Sequence, residues 1–137
     1  MTAKADELLD TNVLVYAFSA DSRSAKAEQL LTRRCAISVQ VLNEFANVAR
    51  RKLGMSWAEL REALAALRDL CRVVLPLDIE VHSAGLELAE RCGFSIFDGL
   101  IVAAAFKGGC TTLWSEDMQD GLVIDGRLRV ADPFKVA

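Results

Sequence analysis

The sequence predicts an α/β fold, a three-layer α/β/α sandwich around a short parallel sheet. Short apolar segments alternate with longer helical patterns in the order β-α-α-β-α-α-β-α-α-β-β. Those segments are unbroken apolar runs rather than alternations of apolar and polar residues, as expected of strands covered on both faces. Right-handed crossovers between such strands place helices on both sides of the sheet. Hydrophobic residues make up 53% of the 137, which excludes a disordered chain. That length fits one domain, residues 1–137, able to bury a core without disulfides or a structural metal.

The elements follow in order. Leu8-Leu9 forms a brief first strand that ends at Asp10 and turns into a helix through VLVYA (13–17). SAKAEQLLTRR (24–34) reads as a helix, and CAISV (35–39) as a short buried strand. Val39 to Leu53 is helical, with Gly54 expected at its C-cap. Ser56, followed three residues later by Glu59, is a capping box opening a helix that runs to Leu70. RVVLPL (72–77) is the third strand. Asp78 caps a helix reaching Arg91 and stopped by Gly93. Ile96 to Phe106 is apolar on nearly every side, hence a buried helix, and ends at Gly108-Gly109. Thr111 to Trp114 is the fourth strand, and short strand pieces at Val123-Ile124 and Arg129-Val130 flank the turn Asp125-Gly126.

Composition removes several function classes. A single histidine, His82, excludes multi-His metal sites. Cys35, Cys71, Cys92 and Cys110 lack any CxxC or zinc spacing and read as buried free thiols of a reducing compartment. Met1 to Glu7 is polar, without the apolar region of a signal peptide. The longest apolar run, Leu100 to Phe106, falls short of the ~20 residues a membrane span needs. A cytoplasmic protein with no membrane partner is expected. With 16 Lys+Arg against 19 Asp+Glu and a net charge of -3, nucleic acid is held only by a local patch. The densest basic clusters are Arg33-Arg34 and Arg50-Arg51-Lys52, which also suit helix ends set against the dipole.

In open parallel sheets, ligand sites form outside the carboxyl ends of the strands. Four carboxylates fall there. Asp10 closes the first strand, where it also suits an N-cap, as does Asn12 nearby. Glu44 follows the second strand and lies between Val41 and Val48 at helical spacing, on or beside an apolar face where a charge is costly unless paired or bound to a cation. Asp98 leads the buried helix between Phe97 and Leu100, and Asp117 follows the fourth strand in SEDMQDG (115–121). Each alone also reads as a cap, a dipole partner or a loop residue. Together they can converge in one cleft.

In the segments LLDTNVLVYA (Asp10), VQVLNEF (Glu44), FSIFDGLIVAAA (Asp98) and TLWSEDMQDG (Ser115, Asp117), taken in that order, the sequence resembles the PIN-domain family and, within it, the VapC-like toxins of toxin–antitoxin pairs. The resemblance covers essentially the whole chain. It implies that Asp10, Glu44, Asp98 and Asp117 bind Mg²⁺ or Mn²⁺, that Asn12 and Ser115 hold the site in place, and that the domain cuts RNA. It also implies a homodimer and a cognate antitoxin, whose tail carries Arg or Lys into the acidic site. Asp117, two residues after Ser115, is the favoured last acid, with Glu116 and Asp120 beside it.

The chemistry agrees with that reading. Two like charges ~4 Å apart repel by about 4 kcal/mol at an effective dielectric of ~20, so four clustered carboxylates need a cation or a proton. Oxygen-only donors favour Mg²⁺ or Mn²⁺ over zinc. Asp10, Asp98 and Asp117 are expected as ligands in metal-assisted phosphodiester hydrolysis. Glu44 is either a ligand through water or the group that orients and deprotonates the attacking water. Two other readings stand beside this one. A phosphate-accepting receiver domain would use Asp78, but Asp6-Glu7 precede the first strand instead of closing it, and Lys107 ends a helix. A non-catalytic PIN-like module binding RNA or protein would have no need of the complete acidic set. The amphipathic helices at 23–34 and 57–70 offer a groove to a partner helix or pack on their own core.

Overall fold

The computed structural model describes residues 4–135. Its elements are β1 (Glu7–Leu9), α1 (Thr11–Ala17), α2 (Ser24–Leu31), β2 (Ala36–Ser38), α3 (Val39–Arg51), α4 (Trp57–Leu70), β3 (Val73–Leu75), α5 (Ile79–Cys92), α6 (Ile96–Lys107), β4 (Thr112–Trp114), β5 (Val123–Ile124) and β6 (Leu128–Ala131). Six strands form one sheet in the order β3-β2-β1-β4-β6-β5, flanked by the helices in an α/β/α sandwich.

Apolar burial dictates the centre of this sheet. Leu8 and Leu9 are fully buried and sit between two parallel neighbours. Leu8 lies opposite Ala36 of β2 on one side and Leu113 of β4 on the other. Val13, Leu14, Val41, Phe45, Leu67 and the run Leu100–Ala105, all on helices, close over the strands. The chain leaves β1 towards β2 and β3, then returns to pair β4 on the opposite side of β1. That reversal opens a crevice at the carboxyl ends of β1 and β4.

The expected parallel sheet is present, with one antiparallel strand at its edge. β3, β2, β1, β4 and β6 are parallel, but β5 runs antiparallel to β6, with Ile124 opposite Leu128. A tight turn joins only antiparallel strands, and here Asp125 and Gly126 both hold positive φ, +54° and +65°, which glycine takes without a Cβ penalty. Other boundaries move by a few residues. The second helix stops at Leu31 rather than Arg34, which itself takes φ +59° as the chain turns into β2. The third strand ends at Leu75 because Pro76 has no N–H to donate. Lys52, not Gly54, caps α3. The Ser56–Glu59 capping box and the Asp78 cap form as expected.

One close approach fixes the helix that carries Asp98. A Cβ on Gly99 would stand 2.3 Å from the Gly85 carbonyl oxygen, so α5 and α6 meet backbone to backbone at that point. The contact seats the first turn of α6, with Ser95 capping the Asp98 amide at 3.1 Å.

Candidate active site at the carboxyl edge of the sheet

Asp10, Glu44, Asp98 and Asp117 line a single cleft of about 420 Å³, together with Thr11, Asn12, Gln40, Asn43, Asn47, Val48 and Phe97. Each arrives on a different element, and the local sequence explains how each is held.

Asp10 is the N-cap of α1 and is only 4% exposed. Its backbone amide continues the β1–β4 pairing by donating to the Trp114 carbonyl at 3.0 Å. One carboxylate oxygen accepts the Thr11 amide at 2.7 Å and the other accepts the Ser115 hydroxyl at 2.6 Å. Capping and site geometry are therefore the same fact. Burial pushes the carboxyl up to about 6, the two hydrogen bonds oppose the rise, and the charges of Asp98 and Asp117 add to it. Thr11 beside it is 7% exposed, and its buried hydroxyl lies near enough to the Glu44 carboxylate to lower that group's pKa.

Glu44 is half-buried on α3 and accepts the Gln40 amide, one turn earlier, at 3.1 Å. Burial raises its pKa, Gln40 and the Thr11 hydroxyl oppose this, and Asp98 and Asp117 reinforce it. Asp98 is raised by burial and then by Asp117. Asp117 accepts the Asn12 amide at 2.8 Å, and is raised by burial and by its neighbour Glu116. All four carboxylates thus hold protons more tightly than free acids do. No ion pair among the described residues involves any of them.

The neighbouring acids are turned elsewhere. Glu116 accepts the Tyr16 hydroxyl at 2.5 Å and pairs with Arg23 at 2.8 Å, and the guanidinium lies 4.0 Å from the Tyr16 ring centroid. Arg23 also forks onto Asp21. Burial and the Glu116 contact push the Tyr16 hydroxyl up to about 12. Asp120 accepts the Asp132 amide at 2.8 Å and pairs with Lys135 at 3.3 Å. Neither acid lines the cleft. Four consecutive residues are anchored in turn: Ser115 to Asp10, Glu116 to Tyr16 and Arg23, Asp117 to Asn12, and the buried Met118 through its amide to Ser115.

The basic clusters stand apart from this cleft. Arg33 forks onto Glu7 at the amino edge of the sheet, and Arg34 donates to the Asp69 carbonyl. Arg50 donates to the Met55 carbonyl and stacks 4.2 Å from the Trp57 ring centroid. All four cysteines are free. Burial pushes the Cys35 thiol up to about 12 and those of Cys71 and Cys110 to about 11, so these three are poor nucleophiles.

Sequence reasoning missed Gln40, Asn43, Asn47, Phe97 and the Tyr16–Arg23–Glu116 group. Gln40 stands one turn before Glu44, and Tyr16 one turn after Asn12, so helical spacing was the available signal for those two.

Residues 8–119 match the family model of the PIN domain, a span holding all four carboxylates. The chain belongs to the PIN domain family. This PIN domain is similar to several solved structures. A toxin–antitoxin complex from Klebsiella pneumoniae shares 21% identity at a TM-score of 0.72, over 95% of this chain and 99% of that one. The Mycobacterium tuberculosis VapC20, a sarcin–ricin loop cleaving toxin, shares 21% at 0.67, over 81% and 91%. VapBC2 from Rickettsia felis, bound to a DNA fragment from their promoter, shares 21% at 0.63, over 90% and 96%. What these likenesses establish is a fold shared with VapC-type toxins. No curated protein matches the chain.

The PIN cleft can be tested for its fit to a divalent cation. No three His, Cys, Asp or Glu side chains among the described residues are drawn close enough to form a metal-holding group by themselves. The donor set nonetheless fits a hard cation. It is oxygen only, and it carries four carboxylates without a counter-ion. Such a cation keeps several of its own waters, so an open arrangement suits it better than a closed cage.

Proposed function

We propose that residues 1–137 act as a single PIN-like domain, a metal-dependent endoribonuclease that hydrolyses RNA phosphodiester bonds. The biological role we assign is that of the toxin in a toxin–antitoxin pair. One observation carries this reading: four carboxylates, unpaired and with raised pKa values, meet in one cleft at the reversal point of the sheet. The fold shared with VapC-type toxins supports it.

Asp10, Asp98 and Asp117, with Glu44 directly or through water, would hold Mg²⁺ or Mn²⁺. When bound, the cation supplies neutralisation of the phosphate oxygens and acidification of water. The chain's own residues do the rest. Ser115 and the Thr11 amide fix the Asp10 carboxylate, leaving one lone pair on each oxygen for the cleft. Asn12 orients Asp117. Gln40 holds one oxygen of Glu44, and where Glu44 is not a ligand its carboxylate would orient the attacking water and accept its proton.

The same reading gives the chain an RNA substrate, a cognate antitoxin, a homodimeric state and a cytoplasmic place of work. No helix among the described residues is long and apolar enough to cross a membrane. An antitoxin Arg or Lys entering the cleft would neutralise the carboxylates as a cation does. The test is cleavage of single-stranded RNA by purified protein. Activity with Mg²⁺ or Mn²⁺ that stops on adding EDTA and is lost in Asp98→Asn is expected. Metal-independent cleavage, or full activity in the variant, overturns the proposal.

A further inference from the structure

The wall of the acidic cleft carries a second kind of chemistry. Phe97 immediately precedes Asp98 in the first turn of α6, lines the cleft, and is 55% exposed. Asn43 and Asn47 stand one turn apart on α3, are both exposed, and line the same cleft. The amides of Asn12 and Gln40 are committed to Asp117 and Glu44. Those of Asn43 and Asn47 enter no hydrogen bond among the described residues. No Lys or Arg lines the cleft.

These observations decide which part of an RNA strand the wall suits. A lining with four carboxylates and no cation repels every phosphate except one bridged by a divalent ion. Nucleobases are uncharged and escape that repulsion. An exposed aromatic ring offers a stacking surface to any base face, and a primary amide offers a donor and an acceptor in one plane, matching a base edge. A paired base in a duplex has neither face available, so the wall suits an unpaired nucleotide.

We infer that Phe97, with Asn43 and Asn47, forms a nucleobase subsite that stacks and reads an unpaired RNA base next to the scissile phosphate. The inference rests on the ribonuclease reading and names how that site selects its substrate. Because Phe97 is adjacent to Asp98, the stacked base lies beside the ligand set, and its capture places the neighbouring phosphate over the carboxylates.

The test compares wild type with Phe97→Ala, Phe97→Leu and Phe97→Tyr on a single-stranded RNA oligonucleotide carrying 2-aminopurine, with Mn²⁺. Stopped-flow quenching of 2-aminopurine reads stacking before cleavage, steady-state rates separate KM from kcat, and a Mn²⁺ titration reads the ligand set independently. Phe97→Ala is expected to lose the quench and raise KM at least about fivefold, with kcat and Mn²⁺ affinity near wild type. Phe97→Tyr restores both, and Phe97→Leu restores neither. An unchanged KM in Phe97→Ala, or full rescue by Leu, overturns the subsite. So does a change in protomer number by light scattering, which would assign Phe97 to a contact between copies. Wild-type cleavage with an indifferent Phe97→Ala sinks the subsite alone. Wild-type quenching without cleavage sinks the ribonuclease reading alone, and the absence of both sinks the two together.

Discussion

Glu7 and Asp10 lie three residues apart at opposite ends of the first strand, and the fold treats their charges in opposite ways. At the amino edge, Glu7 accepts a two-pronged contact from Arg33, the Trp114 indole at 3.1 Å and the Cys35 thiol. The Arg33 guanidinium first, then the indole, hold its carboxyl below the usual range in spite of partial burial. At the carboxyl edge, Asp10 is buried more deeply and meets only neutral donors and other acids. The amino edge uses a carboxylate to hold the sheet together. The carboxyl edge keeps four carboxylates in a state that water or a cation would relieve, which is the arrangement expected where function rather than stability set the residues.

The largest effect that tests this contrast is on cleavage. Asp10→Asn and Asp98→Asn are each expected to lower the RNA cleavage rate by about a thousandfold or more. Melting curves of the same variants without metal should show stability kept or raised. Loss of folding in both would make the carboxyl edge a structural one after all.

Next comes the pH dependence of the metal-free protein. Asp10 has its folded pKa raised to about 6 from an ordinary 3.8, so the folded state binds its proton more tightly than the unfolded chain. The resulting penalty is absent below about pH 4, grows between pH 4 and 6, and reaches about 3 kcal/mol above that. Denaturant unfolding across this range should show stability falling as pH rises, with the Asp10 part of the slope removed in Asp10→Asn. Glu7 has the opposite sign: its lowered pKa adds stability above its unfolded value that is lost as pH falls.

Ser115→Ala removes the hydroxyl that fixes Asp10 and accepts the Met118 amide. A Mn²⁺ titration should then show affinity lowered by about 10–100-fold. An unchanged affinity would mean that Asp10 is placed by its cap bond alone. The smallest effect belongs to the amino edge. Glu7→Gln should reduce unfolding free energy by about 1–2 kcal/mol, discounted for the exposure of Arg33, while the cleavage rate of folded protein stays at wild type. A catalytic loss there would erase the contrast.

Much of the architecture was legible because local chemistry agreed with the global fold. The capping box at Ser56, the Asp78 cap and the all-round apolar pattern of α6 each specify an element without reference to anything distant. The positions of the four carboxylates after strands or at a helix start were equally visible, because strand and helix ends are marked by pattern. The place of the edge hairpin in the sheet was not. Two short apolar pieces around Asp-Gly mark an antiparallel hairpin but do not say that β6 docks on β4. Nor was the fate of Glu116, whose partners Tyr16 and Arg23 lie 100 and 93 positions away. The basic clusters, which charge counting offered as a path for RNA, are in part committed to Glu7, a helix carbonyl and the Trp57 ring.

By itself the sequence determined the element order, the oxygen-only chemistry and which acids sit at strand ends, since these follow from residue type and periodicity. Only the tertiary structure decided that β4 returns to the far side of β1, because strand order is set by which faces can be buried together. That single choice brings Asp117 to Asn12 and Ser115 to Asp10 across 105 positions of chain. It also sets the carboxylates of Asp10 and Asp117 in the same cleft as Glu44, Asp98 and the exposed Phe97.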